Sequence, residues 1–109
     1  MHYLPLFLFA LLVSCTSNEK GLKVGATPVP HAEILEFIKP DLKAEGINLI
    51  IITTDDYNIP NRALADHELD ANFFQHRPYL EMQKEAFHYP LAELTAVEIE
   101  PMGLYSKSP

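Results

Sequence analysis

Two short clusters hold the residues best suited to chemistry: Asp55-Asp56-Tyr57-Asn58 and Asn72-Phe73-Phe74-Gln75-His76-Arg77-Pro78-Tyr79. Aromatic rings beside polar side chains suit a small amphipathic ligand. The rings supply contact area, and a ring edge favours a thioether sulfur by roughly 0.3–1.5 kcal/mol. Phe73 is assigned to the core. For Tyr57, His76 and Tyr79, polar aromatics just past expected strand ends, pocket wall and core packing stay open as alternatives. Histidines offer a second chemistry. His31, His67, His76 and His88 lie among many carboxylates, the donor types that zinc accepts. No two of them stand one helical turn apart on the sequence and none neighbours a cysteine, so scattered surface histidines are expected and no metal site is assigned.

A third chemistry belongs to Cys15, the one cysteine. Residues 4–13 form a nearly continuous apolar run, too short to span a bilayer and of the length of a signal-peptide core. Leu12-Val13-Ser14-Cys15 follows it in the pattern of a lipobox. There a thiolate takes up a diacylglycerol, palmitate chains included, and the cysteine becomes the new N-terminus. The alternative is a buried structural cysteine, and the first residues, Met1-His2-Tyr3, lack the usual positive charge. The expectation is a signal peptide over residues 1–14 and a lipidated polar tether over 15–21. Catalytic signatures are missing: there is no Gly-x-Ser-x-Gly elbow, no phosphate-binding glycine loop and no His-Glu-x-x-His pair. An enzyme is not expected, and no cofactor is called for.

The elements that must position these residues follow from periodicity. Residues 22–26 alternate and read as a first strand, followed by the rigid turn Thr27-Pro28-Val29-Pro30. Residues 31–45 are helical, with Ile34, Leu35, Ile38 and Leu42 on one face. Pro40 should kink or split that helix, and Gly46 should end it. Residues 47–53 are rich in β-branched side chains and apolar on both faces, the mark of a buried parallel strand. Pro60 opens a short helix running to about residue 66. Residues 69–74 read as a third strand, 77–87 as a helix and 95–105 as a final extended stretch. Strands alternating with helices argue for parallel βαβ units and an α/β fold. The loops after Ala26, Thr54 and Phe74 then share the edge beyond the carboxyl ends of the strands, where such sheets bind ligands.

Composition limits the rest. The chain has 109 residues, 48% of them hydrophobic, and a formal net charge of −7. That length suits one small domain with a modest core. The negative charge opposes nucleic-acid binding and offers no basic stripe for anionic lipid. Attachment to a membrane would have to come from the lipid on Cys15.

Three stretches together resemble one family. Val24-Gly25-Ala26-Thr27-Pro28 with Pro30-His31-Ala32-Glu33-Ile34 is similar to the opening of the methionine-binding lipoproteins of ABC importers. So are Leu64-Ala65-Asp66 with Glu68-Leu69-Asp70-Ala71-Asn72-Phe73-Phe74-Gln75-His76 and Pro78-Tyr79-Leu80, and Glu100-Pro101-Met102-Gly103-Leu104-Tyr105-Ser106-Lys107. The resemblance implies a two-lobed periplasmic-binding fold of type II that closes on methionine. It implies delivery to a membrane permease driven by an ATPase, from a position anchored by lipid on the exported face of the cell membrane. It also implies that Tyr57, Phe74, His76 and Tyr79 surround the methionine side chain. Residues 22–109 would be an incomplete first lobe, because members of the family are considerably longer. Val29 stands where the family commonly has glycine, which should stiffen the turn. Neither Arg62 nor Arg77 matches the family's carboxylate-binding arginine, so the groups holding the ligand's carboxylate and amine are expected outside this stretch. Two other roles remain as alternatives: a surface lipoprotein that serves as an interaction module without transporting, and a metal-binding receptor using His31, His67 and His76.

Overall fold

The structure, a computed structural model, describes residues 20–107. The expected signal peptide, Cys15 and most of the tether lie outside the described residues. The core is a parallel sheet of three strands, β1 (Leu22–Ala26), β2 (Leu49–Thr53) and β3 (Ala71–Phe73), in the order β2-β1-β3. Leu22 pairs with Leu49 and Ala26 with Thr53 on one side of β1; Val24 pairs with Ala71 and Ala26 with Phe73 on the other. Three helices complete the elements: α1 (Glu33–Ala44), α2 (Ile59–Ala65) and α3 (Arg77–Phe87). The fold is therefore α/β, as the alternation of patterns implies. Among the described residues no helix is long and apolar enough to cross a membrane.

The core forms where α1 lies on the sheet. Val24, Ala26, Ala32, Leu35 and Leu49 are buried together, with Ile38, Leu42, Ile51, Ala71 and Phe73 packed against them. Each buried valine or leucine among them favours folding by about 1.5–3 kcal/mol. Close packing also explains Gly25: a Cβ there would come within 2.6 Å of Leu69 Cδ1. At the end of α1, Gly46 takes φ +84°, the left-handed conformation that a helix stop demands.

Several expectations need correction. α1 begins at Glu33, not His31, because residues 28–32 form a wide turn closed by the Ala32 N–H on Thr27 O at 2.9 Å. The helix then runs from Glu33 to Ala44 with Pro40 inside it and is not split. Pro40 is exposed. Val29 adopts φ −131° and ψ 127°, ordinary extended geometry for a β-branched residue. The turn therefore has no need of glycine at that position. β2 starts at Leu49 rather than residue 47, and it is an edge strand, not a buried one: Leu49 is buried, but Ile52 is 42% exposed. The buried central strand is β1. β3 spans only Ala71–Phe73. Residues 95–105, expected only to be extended, need no correction: among the described residues they form no helix and pair with no strand.

Candidate functional site

All three strands are parallel, so their carboxyl ends lie along one edge, and the chain crosses from β2 past β1 to reach β3. Strand order reverses there, and a crevice forms beyond the strand ends at such a switch point. The turn after β1, the loop after β2 and the β3–α3 connection all open on this edge.

Local hydrogen bonding shapes the loop after β2. The Asp56 N–H donates to Thr54 Oγ1 at 3.1 Å, and the Asn58 N–H donates to Asp56 Oδ1 at 2.8 Å. This pairing of an aspartate with the backbone two residues on is a turn-forming habit of Asx residues. It holds Tyr57, 56% exposed, over the sheet edge. Phe74, just past β3, is buried, and Tyr79 is half-buried in the first turn of α3. The three rings meet: Tyr57 stacks on Phe74 with centroids 5.9 Å apart. Tyr79 stands edge-on to both, at 6.3 Å from Tyr57 and 6.0 Å from Phe74. The Tyr79 hydroxyl donates to Tyr57 O at 2.9 Å. Burial, then the charge of Asp56, push the Tyr79 phenol above its ordinary value.

His76 takes a different place. It precedes α3 with φ −87° and ψ 158°, and its Nε2 lies 3.0 Å from Glu100 Oε2. Burial pushes the Glu100 carboxyl up, but its hydrogen bonds with His76 and then Glu98, followed by the charge of neighbouring His31, outweigh that and hold it below the usual carboxylate value. Among the four predicted site residues, then, Tyr57, Phe74 and Tyr79 form one cluster and His76 joins a second. His31 belongs to that second cluster, with its Nε2 3.2 Å from both Glu98 Oε1 and Glu100 Oε1. Of the three histidines weighed as metal ligands, His31 and His76 share Glu100. His67, at φ 62° in the loop after α2, is not among the residues that share these carboxylates.

One positioning group escapes a reading of the sequence. Asn61, in α2, is fully buried and exchanges two 2.7 Å hydrogen bonds with Gln75: its Nδ2 donates to Gln75 Oε1, and Gln75 Nε2 donates to its Oδ1. Asn72 Nδ2 also donates to Asn61 Oδ1, at 3.0 Å. This amide network ties α2 to the connection that carries Phe74 and His76. Its one signal in the sequence is an excess of carboxamides around the aromatic stretch.

Residues 88–107 lie partly across the domain. Arg77 donates from Nε and Nη2 to the two oxygens of Glu93, both at 2.8 Å. That hydrogen bonding lowers the Glu93 carboxyl below its ordinary value. Beneath residues 90–98 an open groove of about 760 Å³ runs past Ile34, Ile38, Phe73, Phe74 and Leu80. Its walls are mainly apolar. Neither Tyr57 nor Tyr79 lines it.

A parallel α/β sheet with aromatic and polar side chains gathered at its switch-point edge has the layout of a small-ligand binding protein. Residues 22–109 match the family model described as NlpA lipoprotein, and the chain belongs to that family. It is 46% identical to the methionine-binding lipoprotein MetQ of Bacillus subtilis, over 94% of this chain and 43% of the relative. It is 34% identical to the D-methionine-binding lipoprotein MetQ of Escherichia coli, over 88% of this chain and 37% of the relative. Among solved structures, a pheromone cOB1 precursor/lipoprotein of the YaeC family from Enterococcus faecalis matches with a TM-score of 0.78 and 48% identity. That match covers 82% of this chain and 37% of the other. A nutrient-binding protein from Burkholderia cenocepacia bound to methionine matches with a TM-score of 0.59 and 39% identity, over 62% of this chain and 29% of the other. The chain thus spans about two fifths of the length of these curated relatives, 43% and 37%.

Proposed function

We propose that this chain is part of a substrate-binding lipoprotein that presents methionine to an ABC importer, and that it is not an enzyme. The single observation carrying this reading is the cluster of Tyr57, Phe74 and Tyr79 at the carboxyl edge of the sheet, centroids 5.9–6.3 Å apart. Rings at this edge supply an apolar wall with polar tips, which suits a thioether side chain. His76, beside Phe74 in the chain, completes the wall when its side chain turns from Glu100; it is 60% exposed and free to do so. The names of the relatives support the choice of methionine.

Residues 22–109 would form part of the first lobe of a two-lobed binder. The second lobe would bring the cation for the amino-acid carboxylate, since Arg77 here is committed to Glu93. Cys15 would carry the lipid and hold the protein on the exported face of the membrane, where a permease and its ATPase receive the ligand. The test is a graft: residues 22–107 replace the matching stretch of the Bacillus subtilis relative, and methionine is titrated by calorimetry. Micromolar or tighter binding is expected. A folded graft that ignores methionine contradicts the reading. For the anchor, mass spectrometry of the membrane fraction should find an acylated Cys15 at the N-terminus, and intact Met1 in soluble protein would exclude it.

A further inference from the structure

We infer that His31, Glu98 and Glu100 form a binding site for a divalent cation of the zinc class, placed at the switch point between β1 and β3. Its three ligands are not residues of the aromatic wall, although His76, which holds Glu100, stands next to both.

The geometry starts with His31. Its side chain is 8% exposed, wedged between Thr27 and Phe73. Thr27 Oγ1 lies 2.8 Å from Nδ1, and the Phe73 ring meets the imidazole edge-on at 4.7 Å. These contacts fix the ring and aim Nε2 outward. A hydroxyl that accepts the Nδ1 proton leaves a lone pair on Nε2, the usual state of a ligating histidine. Two carboxylate oxygens face that nitrogen, Glu98 Oε1 and Glu100 Oε1, each at 3.2 Å. Three electron-rich atoms turned on one another repel unless a cation sits among them.

Two further observations favour a metal over a proton. Glu98 Oε1 is buried and makes no hydrogen bond. A proton on Nε2 therefore leaves it unsatisfied, at a desolvation cost of about 1–3 kcal/mol. The spacing also fits. Ligands 2.0–2.1 Å from a tetrahedral zinc stand about 3.3 Å from each other, close to the two 3.2 Å separations found here. The three ligand atoms lie within 4.8 Å of one another. Glu100 uses its other oxygen to hold His76 at 3.0 Å, which orients the carboxylate as a supporting hydrogen bond does in metal sites. The fourth position would be filled by water. A bound cation would fasten residues 98–100, which have no strand or helix of their own, to the turn after β1.

Cobalt(II) is a direct probe, because tetrahedral coordination gives it a strong visible absorption. The 109-residue chain is titrated with Co²⁺, with Cys15→Ser throughout so that no thiol competes, and the cobalt is then displaced by Zn²⁺. One equivalent of tetrahedral cobalt is expected. His31→Gln and Glu98→Gln should abolish the band, Thr27→Val should weaken binding by about 10–100-fold, and His67→Gln should leave it unchanged. Circular dichroism reports whether each variant is folded. Should the buried His31 variant fail to fold, Glu100→Gln, at an exposed position, decides in its place. No band in the parent chain, a band that survives Glu100→Gln, or equal loss in His67→Gln would overturn the site.

Discussion

The aromatic wall and the histidine–glutamate cluster occupy the same edge of the sheet but are held there by different means. Tyr57, Phe74 and Tyr79 belong to segments tied directly to strands and helices: an Asx turn after β2, the end of β3 and the first turn of α3. Their contacts are largely apolar ring contacts. His31 is equally well fixed, yet its partners Glu98 and Glu100 come from a stretch with no regular structure. That stretch is held by charge and by polar contacts. Rings packed on a sheet edge resist changes in pH and salt, whereas carboxylate–imidazole and carboxylate–guanidinium pairs respond to both.

The largest effect should come from removing the ring at the centre of the wall. Phe74 is 3% exposed, and Phe74→Ala should lower stability by about 3–5 kcal/mol in chemical denaturation. A change below about 1 kcal/mol would mean that the wall does not depend on packing. Next comes the amide network beneath it. Asn61→Ala leaves Gln75 and Asn72 without their buried partner and should cost about 1–3 kcal/mol. It should also loosen the β3–α3 connection, seen as faster amide exchange there.

The smallest effect lies in the charged region. Glu93 sits below its ordinary value of 4.5 through its hydrogen bonds with Arg77. A lowered carboxyl favours the folded state above the ordinary value, and that contribution is lost as the pH falls through the lowered one. Exposed pairs of this kind matter little to overall stability. Glu93→Gln should therefore lower the melting temperature near neutrality only slightly, and that difference from the parent should vanish as the pH falls, in a series of melts from about pH 6 to pH 3. A marked loss at neutral pH would show that the charged region is held as firmly as the wall.

Much of this arrangement is legible in the sequence, for local reasons. α3 follows the expected bounds because Pro78 suits the first turn of a helix and little else. The parallel α/β class follows from alternating patterns, and the shared edge follows from the class. What the sequence conceals depends on distant partners. The sequence overstates the burial of β2, because a run of isoleucines reads alike in a central strand and in an edge strand with one flank open. Residues 95–105 have the apolar character of a strand, yet Val97, Ile99, Met102 and Leu104 stay exposed. A strand needs a neighbour to pair with, and among the described residues they have none. Asn61 with Gln75, and His31 with Glu98, meet only once the chain has folded. Of the four residues assigned to the wall, Tyr57, Phe74 and Tyr79 touch one another, and His76 lies against Glu100, a partner that spacing alone does not assign to it.

The most direct measurement is the affinity for methionine of the graft carrying Tyr57→Ala. Tyr57 is 56% exposed, so its removal should leave folding intact while taking away one face of the wall. The account predicts an affinity loss of about 2 kcal/mol, roughly 30-fold, with an unchanged melting temperature in the absence of ligand. Methionine binding that is equally tight with and without the Tyr57 ring would contradict the assignment of this aromatic cluster to the ligand.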